Sequence, residues 1–270
     1  MLISKQRAKL RIKFDIRKYL DQNYFFSTLS SFPAILPVTI LLAIVGTGVG
    51  FLIGLLIGIY KTIPIRDEDS AIKKALYKVF NFLLSAYIEV FRSTPMMVQA
   101  SVIFYGSAWI FGLRLNPVTA GMFIISINTG AYMAEIVRGG IISVEKGQFE
   151  ATHSIGMTHF QSMLYVVLPQ AIRNILPATG NQFIINIKDS CVLSVISVTE
   201  LFFQTKSAAG ATFDYFPAYF IACVIYFVLC FSITQILRYV EMKMDGADTY
   251  TIYGTEPVIN GADTLKRGDK

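Results

Sequence analysis

The 270-residue chain is 54% apolar and only 16% charged, with a net charge of +6. A soluble globule of this length has about a quarter of its residues charged, so the composition excludes an ordinary soluble domain and indicates an integral membrane protein. The basic excess clusters beside apolar tracts, as the orientation rule for membrane proteins requires, and no nucleic-acid partner is needed to explain it.

Residues 1–33 form a basic, amphipathic N-terminal arm. Its first 18 residues hold seven Lys or Arg and no continuous apolar run before a cleavage site, so it does not read as a signal peptide. Five transmembrane spans follow, at about 34–60, 79–106, 117–142, 171–206 and 217–238. The first contains no ionisable group before Tyr60 and spans roughly 40 Å as a helix, enough to cross a hydrocarbon core of about 30 Å. Gly46, Gly50, Gly54 and Gly58 recur at every fourth position. That spacing sets them on one helix face and leaves a groove for another backbone, either inside the subunit, the favoured reading, or at a dimer seam.

The loop 61–78 carries Lys61, Arg66, Lys73, Lys74 and Lys78, whereas residues 19–33 carry no Lys or Arg. Counting only charges close to the spans puts the N-terminus outside and loop 61–78, loop 143–170 and the C-terminal tail inside. The distal basic arm opposes this orientation; it can lie on lipid headgroups, although its apolar residues follow no clean helical period. The tail 241–270 is polar, repeats Gly-Ala-Asp-Thr and has too few apolar groups to pack, so it is expected to be disordered.

Five of the charged residues in the spans stand out as candidates for the substrate path: Glu89, Arg92, Glu135, Lys188 and Asp189. A charge near the bilayer centre costs roughly 2.5–3.5 kcal/mol on insertion scales, so each should face protein or a water-filled path. Glu89 and Arg92, three apart, can pair on one helix face, and Pro95 is positioned to kink the same span. Lys188 and Asp189 fall midway along the fourth span. A path offering both signs suits a zwitterionic amino acid, while the structural alternative is that these charges only lock helices together.

Loop 143–170 reads as two short helices with a bend at Gly156. Thr158 and Gln161 have capping-box spacing, and Phe160, Met163, Leu164 and Val167 recur at helical intervals. Such a helix suits either a groove in a partner protein or the lipid surface. His153 and His159 are six apart with no Cys or carboxylate to complete a metal cage. Cys191, Cys223 and Cys230 lie in apolar tracts and suggest neither disulfides nor metal. No nucleophile–base set can be assembled, so no catalytic residue is expected.

The segment from Gly147 through Glu150, Ala151, Thr152 and Gly156 to Leu168 and Pro169 resembles the Glu-Ala-Ala loop of the membrane subunits of binding-protein-dependent ABC importers. Thr152 stands for the second Ala and Val166 for an Ile of that pattern. The segments 89–99, 132–140 and 188–193 resemble further signatures of the permeases for polar amino acids, of the histidine, glutamine and arginine type. The resemblance implies a type I importer transmembrane domain over 34–240, with 143–170 as coupling loop, in a bacterial inner membrane. It further implies two separate ATPase subunits that hold ATP and Mg, a second membrane subunit, identical or related, and an extracytoplasmic binding protein. The sequence has no phosphate-binding Gly-x-x-x-x-Gly-Lys-Ser/Thr loop, so the chain is expected to bind no cofactor and hydrolyse no ATP itself. A gated channel or secondary transporter, the rival reading, would explain the spans and charges but not the spacing of the loop motif.

Overall fold

The computed structural model describes residues 22–65 and 69–245, with side chains described from residue 35. Most of the basic arm, Arg66 and the tail after residue 245 lie outside the described residues. Every regular element among them is helical: α1 (Gln22–Lys61), α2 (Ala71–Ser93), α3 (Met96–Phe111), α4 (Pro117–Ile142), α5 (Lys146–Ser154) and α6 (His159–Ser162), then α7 (Leu168–Asp189), α8 (Leu201–Thr212) and α9 (Tyr215–Asp245). A π turn, Met163–Val167, joins α6 to α7, and a 3₁₀ segment, Ser190–Ile196, follows α7.

Three helical stretches are long and apolar enough to cross a membrane singly: Ile35–Lys61, Pro117–Ile142 and Tyr215–Lys243. The remaining two apolar tracts are broken. Tract 79–106 splits at Thr94–Pro95 into α2 and α3, a sharper interruption than a kink, and α2 itself begins at Ala71, capped by Ser70. Tract 171–206 passes through the 3₁₀ segment and a turn before α8 begins at Leu201. Asp189 therefore ends α7 at this junction instead of lying midway along a continuous span. At the other end of the chain, the helix of α9 runs on to Asp245, past the start of the expected tail at 241.

The packing order follows from which helices bury themselves. In the most apolar stretch of α4, 67% of residues are buried, against 6% for α9. α4 is thus the central helix, and α9 is the most exposed of the three. The glycines of α1 make the closest approach to it. A methyl group on Gly46 would meet Ile125, on Gly50 Thr129, on Gly54 Met133 and on Gly58 Val137, so each glycine takes one residue of a matching four-residue ladder on α4. This is the close backbone packing that membrane helices reach through small residues. Ile53 and Tyr87 in turn close over Gly130 on α4.

Two apolar clusters sit at opposite ends of α4. One joins Met133, Val137 and Ile141 to Met163, Val167, Ala171 and Ile175 of the π turn and α7. The other joins Ile124 to Leu42 of α1 and to Leu193, Ile196 and Val198 of the 3₁₀ region. Between them lies a polar layer. Asn186 of α7 donates to the Thr47 hydroxyl of α1 at 2.8 Å and accepts from Thr129 of α4 at 3.0 Å and from Gln182 at 3.3 Å. A buried amide in lipid surroundings must find such partners, and here it pins three helices in register.

Candidate functional site

The break between α2 and α3 builds the wall of a polar cavity. Pro95 has no N–H, so the carbonyl of Phe91 loses its helical donor. The buried side chain of Gln99, one turn into α3, supplies the replacement. Its Nε2 donates to the carbonyls of Phe91 and Thr94, both at 2.9 Å, and to Thr94 Oγ1 at 2.8 Å. Thr94 Oγ1 itself donates back to the Val90 carbonyl at 2.7 Å. Asn128 of α4 completes the arrangement, donating to Gln99 Oε1 at 2.9 Å. The chain can therefore interrupt a helix inside the membrane without stranding its backbone groups.

Beside this break is a cavity of about 560 Å³. Arg92 and the Thr94–Pro95 corner form one side, Asn128 and Tyr132 of α4 a second, and Gln182 and Asp189 of α7 a third. Arg92 lies over the Tyr132 ring, 5.8 Å from its centre, a cation–π placement that holds the guanidinium at the cavity wall. The N-terminal turn of α3 opens here too, through Pro95 and Met96, and contributes the positive end of a helix dipole.

Of the five interrupting charges, the cavity gathers Arg92 and Asp189. Arg92 does not pair with Glu89: among the described residues their carboxylate and guanidinium form no ion pair, and the Glu89 carboxylate accepts instead from Ser93 Oγ at 3.0 Å. The i, i+3 spacing permits that pairing, but Tyr132 draws the arginine toward α4. Glu135 lies elsewhere, bridging Arg138 at 3.1 Å and Lys61 at 3.9 Å, and Lys61 donates to Ser85 at 3.0 Å. This cluster ties α1, α2 and α4 together. Lys188 is exposed and does not line the cavity.

Two uncharged residues escape a reading that looks only for charges in the spans, and a third, Glu200, is a charge inside tract 171–206 that is not among the five singled out. Asn128 and Gln182 line the cavity, and Glu200 is wholly buried at the start of α8. The cost of burying any polar group without a partner is the signal that would have marked them.

The second candidate region is the elbow of α5 and α6. Gly156 has φ +79°, its N–H bonds the His153 carbonyl and the next N–H, from Met157, bonds the Thr152 carbonyl, each at 3.0 Å. This double closure ends α5 in a left-handed turn that glycine adopts without strain. Thr158 and Gln161 then form the reciprocal capping box that starts α6. The ring of His159 stacks on Phe149 across the bend, so this histidine is a half-buried brace.

The π turn sorts the apolar residues of the elbow. Met163 and Val167 are buried against α4 and α7, whereas Phe160 and Leu164 point outward. An expected single apolar face is thus divided between core and surface. Val144 and Phe149 also join the inner cluster, and Thr152 is buried with its hydroxyl on the Phe149 carbonyl. Gly147, Glu150, Ala151 and Gly156 are exposed, as are Ile155 (78%) and Phe160 (72%). Leu168 and Pro169 open α7 at the end of the π turn. The elbow is therefore anchored on one side and offers a greasy tip on the other.

A family described as the binding-protein-dependent transport system inner membrane component matches residues 71–246. The glutamine transport system permease protein GlnP of Escherichia coli (strain K12) is 35% identical over 207 residues, covering 76% of this chain and 89% of that protein. The putative GlnP of Rickettsia felis is 33% identical over 207 residues, covering 77% and 89%. Among solved structures, an amino acid ABC transporter with histidines superposes with a TM-score of 0.72 at 38% identity, covering 83% of this chain and 99% of that one. An inward-facing MetNI methionine ABC transporter shares the fold, with a TM-score of 0.59 at 21% identity over 77% of this chain and 94% of its own. With an all-helical membrane fold, a family match over most of the chain and relatives matched over nearly their full length, the chain belongs to the inner-membrane permease components of binding-protein-dependent ABC importers.

Proposed function

We propose that this chain forms the translocation path of an importer for polar amino acids and converts ATP-driven motion of partner subunits into opening and closing of that path. Two ATPase subunits, which bind the ATP and Mg, receive the α5–α6 elbow. A second membrane subunit completes the path, and an extracytoplasmic binding protein delivers the cargo. The N-terminus lies outside and the C-terminus inside.

The observation that carries this reading is the construction of the elbow. Its exposed tip, Ile155 and Phe160, has the apolar character that seats a short helix in a protein groove. Its buried side, Val144, Met163 and Val167, is continuous with α4 and α7, whose other residues line the cavity. A displacement of the tip therefore reaches the cavity walls through close-packed side chains, which move as units and transmit strain. The cavity suits a zwitterion: Arg92 and the α3 N-terminus face a carboxylate, and Asp189 faces an ammonium.

Replacing Gly156 tests the linkage. A methyl group there would touch nothing, so Gly156→Val acts only on the backbone, where a left-handed non-glycine residue costs roughly 1–2 kcal/mol. In proteoliposomes containing the whole transporter, uptake should fall more than tenfold while the thermal stability of the membrane complex changes little. Ile155→Lys should release the ATPase subunits on purification. Unchanged uptake in the first variant and intact co-purification in the second would overturn the coupling role.

A further inference from the structure

Two amide side chains in the cavity wall have a chemistry that the zwitterion reading leaves unused. Asn128 and Gln182 are each only 7% exposed, and both line the cavity. The orientation of Asn128 is dictated by its neighbours. Gln99 commits its amide nitrogen to the carbonyls of Phe91 and Thr94, so its oxygen must face Asn128, and Asn128 must answer with nitrogen. A second contact, from Asn128 Nδ2 to the Phe91 carbonyl at 3.4 Å, has the same polarity. Gln182 likewise places its nitrogen on Asn186 Oδ1. The oxygens, Asn128 Oδ1 and Gln182 Oε1, receive no hydrogen bond from any described residue, yet neither counts as a buried atom without a partner, so both open on the cavity.

The aliphatic hydroxyls at the wall are already committed. Ser93 Oγ donates to Glu89 and Thr94 Oγ1 to the Val90 carbonyl. Once Arg92 holds a carboxylate and Asp189 an ammonium, what remains toward the rest of the cargo is two acceptor oxygens from different helices and the Tyr132 hydroxyl, which can donate or accept.

We propose that Asn128 and Gln182 are specificity residues of the cavity, selecting amino acids whose side chains present N–H donors and rejecting those whose side chains present only acceptors. This rests on the reading of the cavity as the translocation path. A carboxamide or an imidazole N–H satisfies the two oxygens. A side-chain carboxylate sets like partial charges against them and leaves all of them unpaired, and a site built for a hydrogen bond discriminates strongly against cargo that cannot make it. Glutamine and glutamate, nearly equal in shape, differ in this property and in the side-chain charge that goes with it.

The test uses the assembled complex of membrane and ATPase subunits without the binding protein, so that only the cavity selects. Equilibrium binding of labelled glutamine and glutamate should differ by tenfold or more in favour of glutamine. Gln182→Met, which keeps the volume and removes the oxygen, and Asn128→Leu should each lower the glutamine affinity by about three- to tenfold, the equivalent of one neutral hydrogen bond, and shrink the preference over glutamate accordingly. Thermal stability of each complex identifies a variant that merely misfolds, and Gln182→Met, which leaves the α2–α3 break untouched, decides the matter if Asn128→Leu does. In parallel, Val192→Cys at the cavity wall, in a background with Cys191, Cys223 and Cys230 replaced by serine, is modified with a bulky maleimide. Loss of all binding on modification, with an unchanged glutamine preference in a stable Gln182→Met complex, overturns the specificity assignment but keeps the path. Undiminished binding after modification overturns the path, and the assignment with it.

Discussion

Gly54→Leu is expected to abolish accumulation of the folded subunit in the membrane. At this position an added carbon would overlap Met133 and come within 2.8 Å of the backbone nitrogen of Ala134. Backbone atoms of a buried helix cannot turn aside as a side-chain tip can, so α1 itself would have to shift. Overpacking of a core costs about 1–3 kcal/mol where side chains can adjust, and a clash with main chain belongs at or above the top of that range. The movement would also spread, because Gly46, Gly50 and Gly58 hold the same seam and Asn186 ties Thr47 of α1 to Thr129 of α4. Gly48 is the matched control: it is exposed, and a methyl group there meets nothing within 4 Å. Gly48→Leu adds the same apolar bulk to the lipid-facing side and should accumulate like the unaltered protein. Equal membrane levels and equal thermal stability of the two variants would refute the account of the seam.

The same glycine ladder shows what the sequence discloses and where it stops. Spacing of four places Gly46 to Gly58 on one face, and the length of the apolar tracts marks the spans, because both follow from helical geometry alone. The partner of that face is a tertiary fact, as Ile125, Thr129, Met133 and Val137 carry no label that pairs them with glycine. Breaks are harder still. Pro95 is visible, yet whether it bends or splits a helix depends on Gln99 and Asn128 arriving to satisfy the freed carbonyls. The end of the 3₁₀ segment falls at Ser197, a non-glycine residue with φ +63°, inside a run that reads as uninterrupted apolar helix. In the elbow, Gly156 and the Thr158–Gln161 cap follow local rules and can be read directly. The π turn does not, and in the structure Met163 and Val167 are core while Phe160 and Leu164 are surface. For the cavity, charge marks Arg92 and Asp189 in the sequence, and the uncharged amides between them carry no such mark.

Glu200 bears most on how such breaks survive in a membrane. Its side chain is wholly buried, and α8 starts from it: the N–H groups of Phe202 and Phe203 donate to its two carboxylate oxygens at 2.8 and 2.6 Å. The Tyr226 hydroxyl of α9 adds a third bond at 3.0 Å, and Thr39 of α1 takes the N–H of Leu201 at 3.3 Å. A helix beginning inside the protein exposes free N–H groups that neither lipid nor an apolar core can satisfy, and one carboxylate meets two of them while fastening α9. Glu200→Ala removes the cap and takes the carboxylate acceptor from the Tyr226 hydroxyl. Losing an N-cap costs about 0.5–2 kcal/mol and each buried donor left bare about 1–3 kcal/mol, so a total loss on the order of 3–5 kcal/mol is expected. Glu200→Gln keeps one acceptor oxygen and should fall between the two. Thermal unfolding of the purified complex should therefore rank the unaltered protein above Gln and Gln above Ala, with uptake declining in the same order. An Ala variant as stable as the unaltered protein would mean that water or a rearranged backbone satisfies α8, and that the 3₁₀ region is held by its apolar contacts alone.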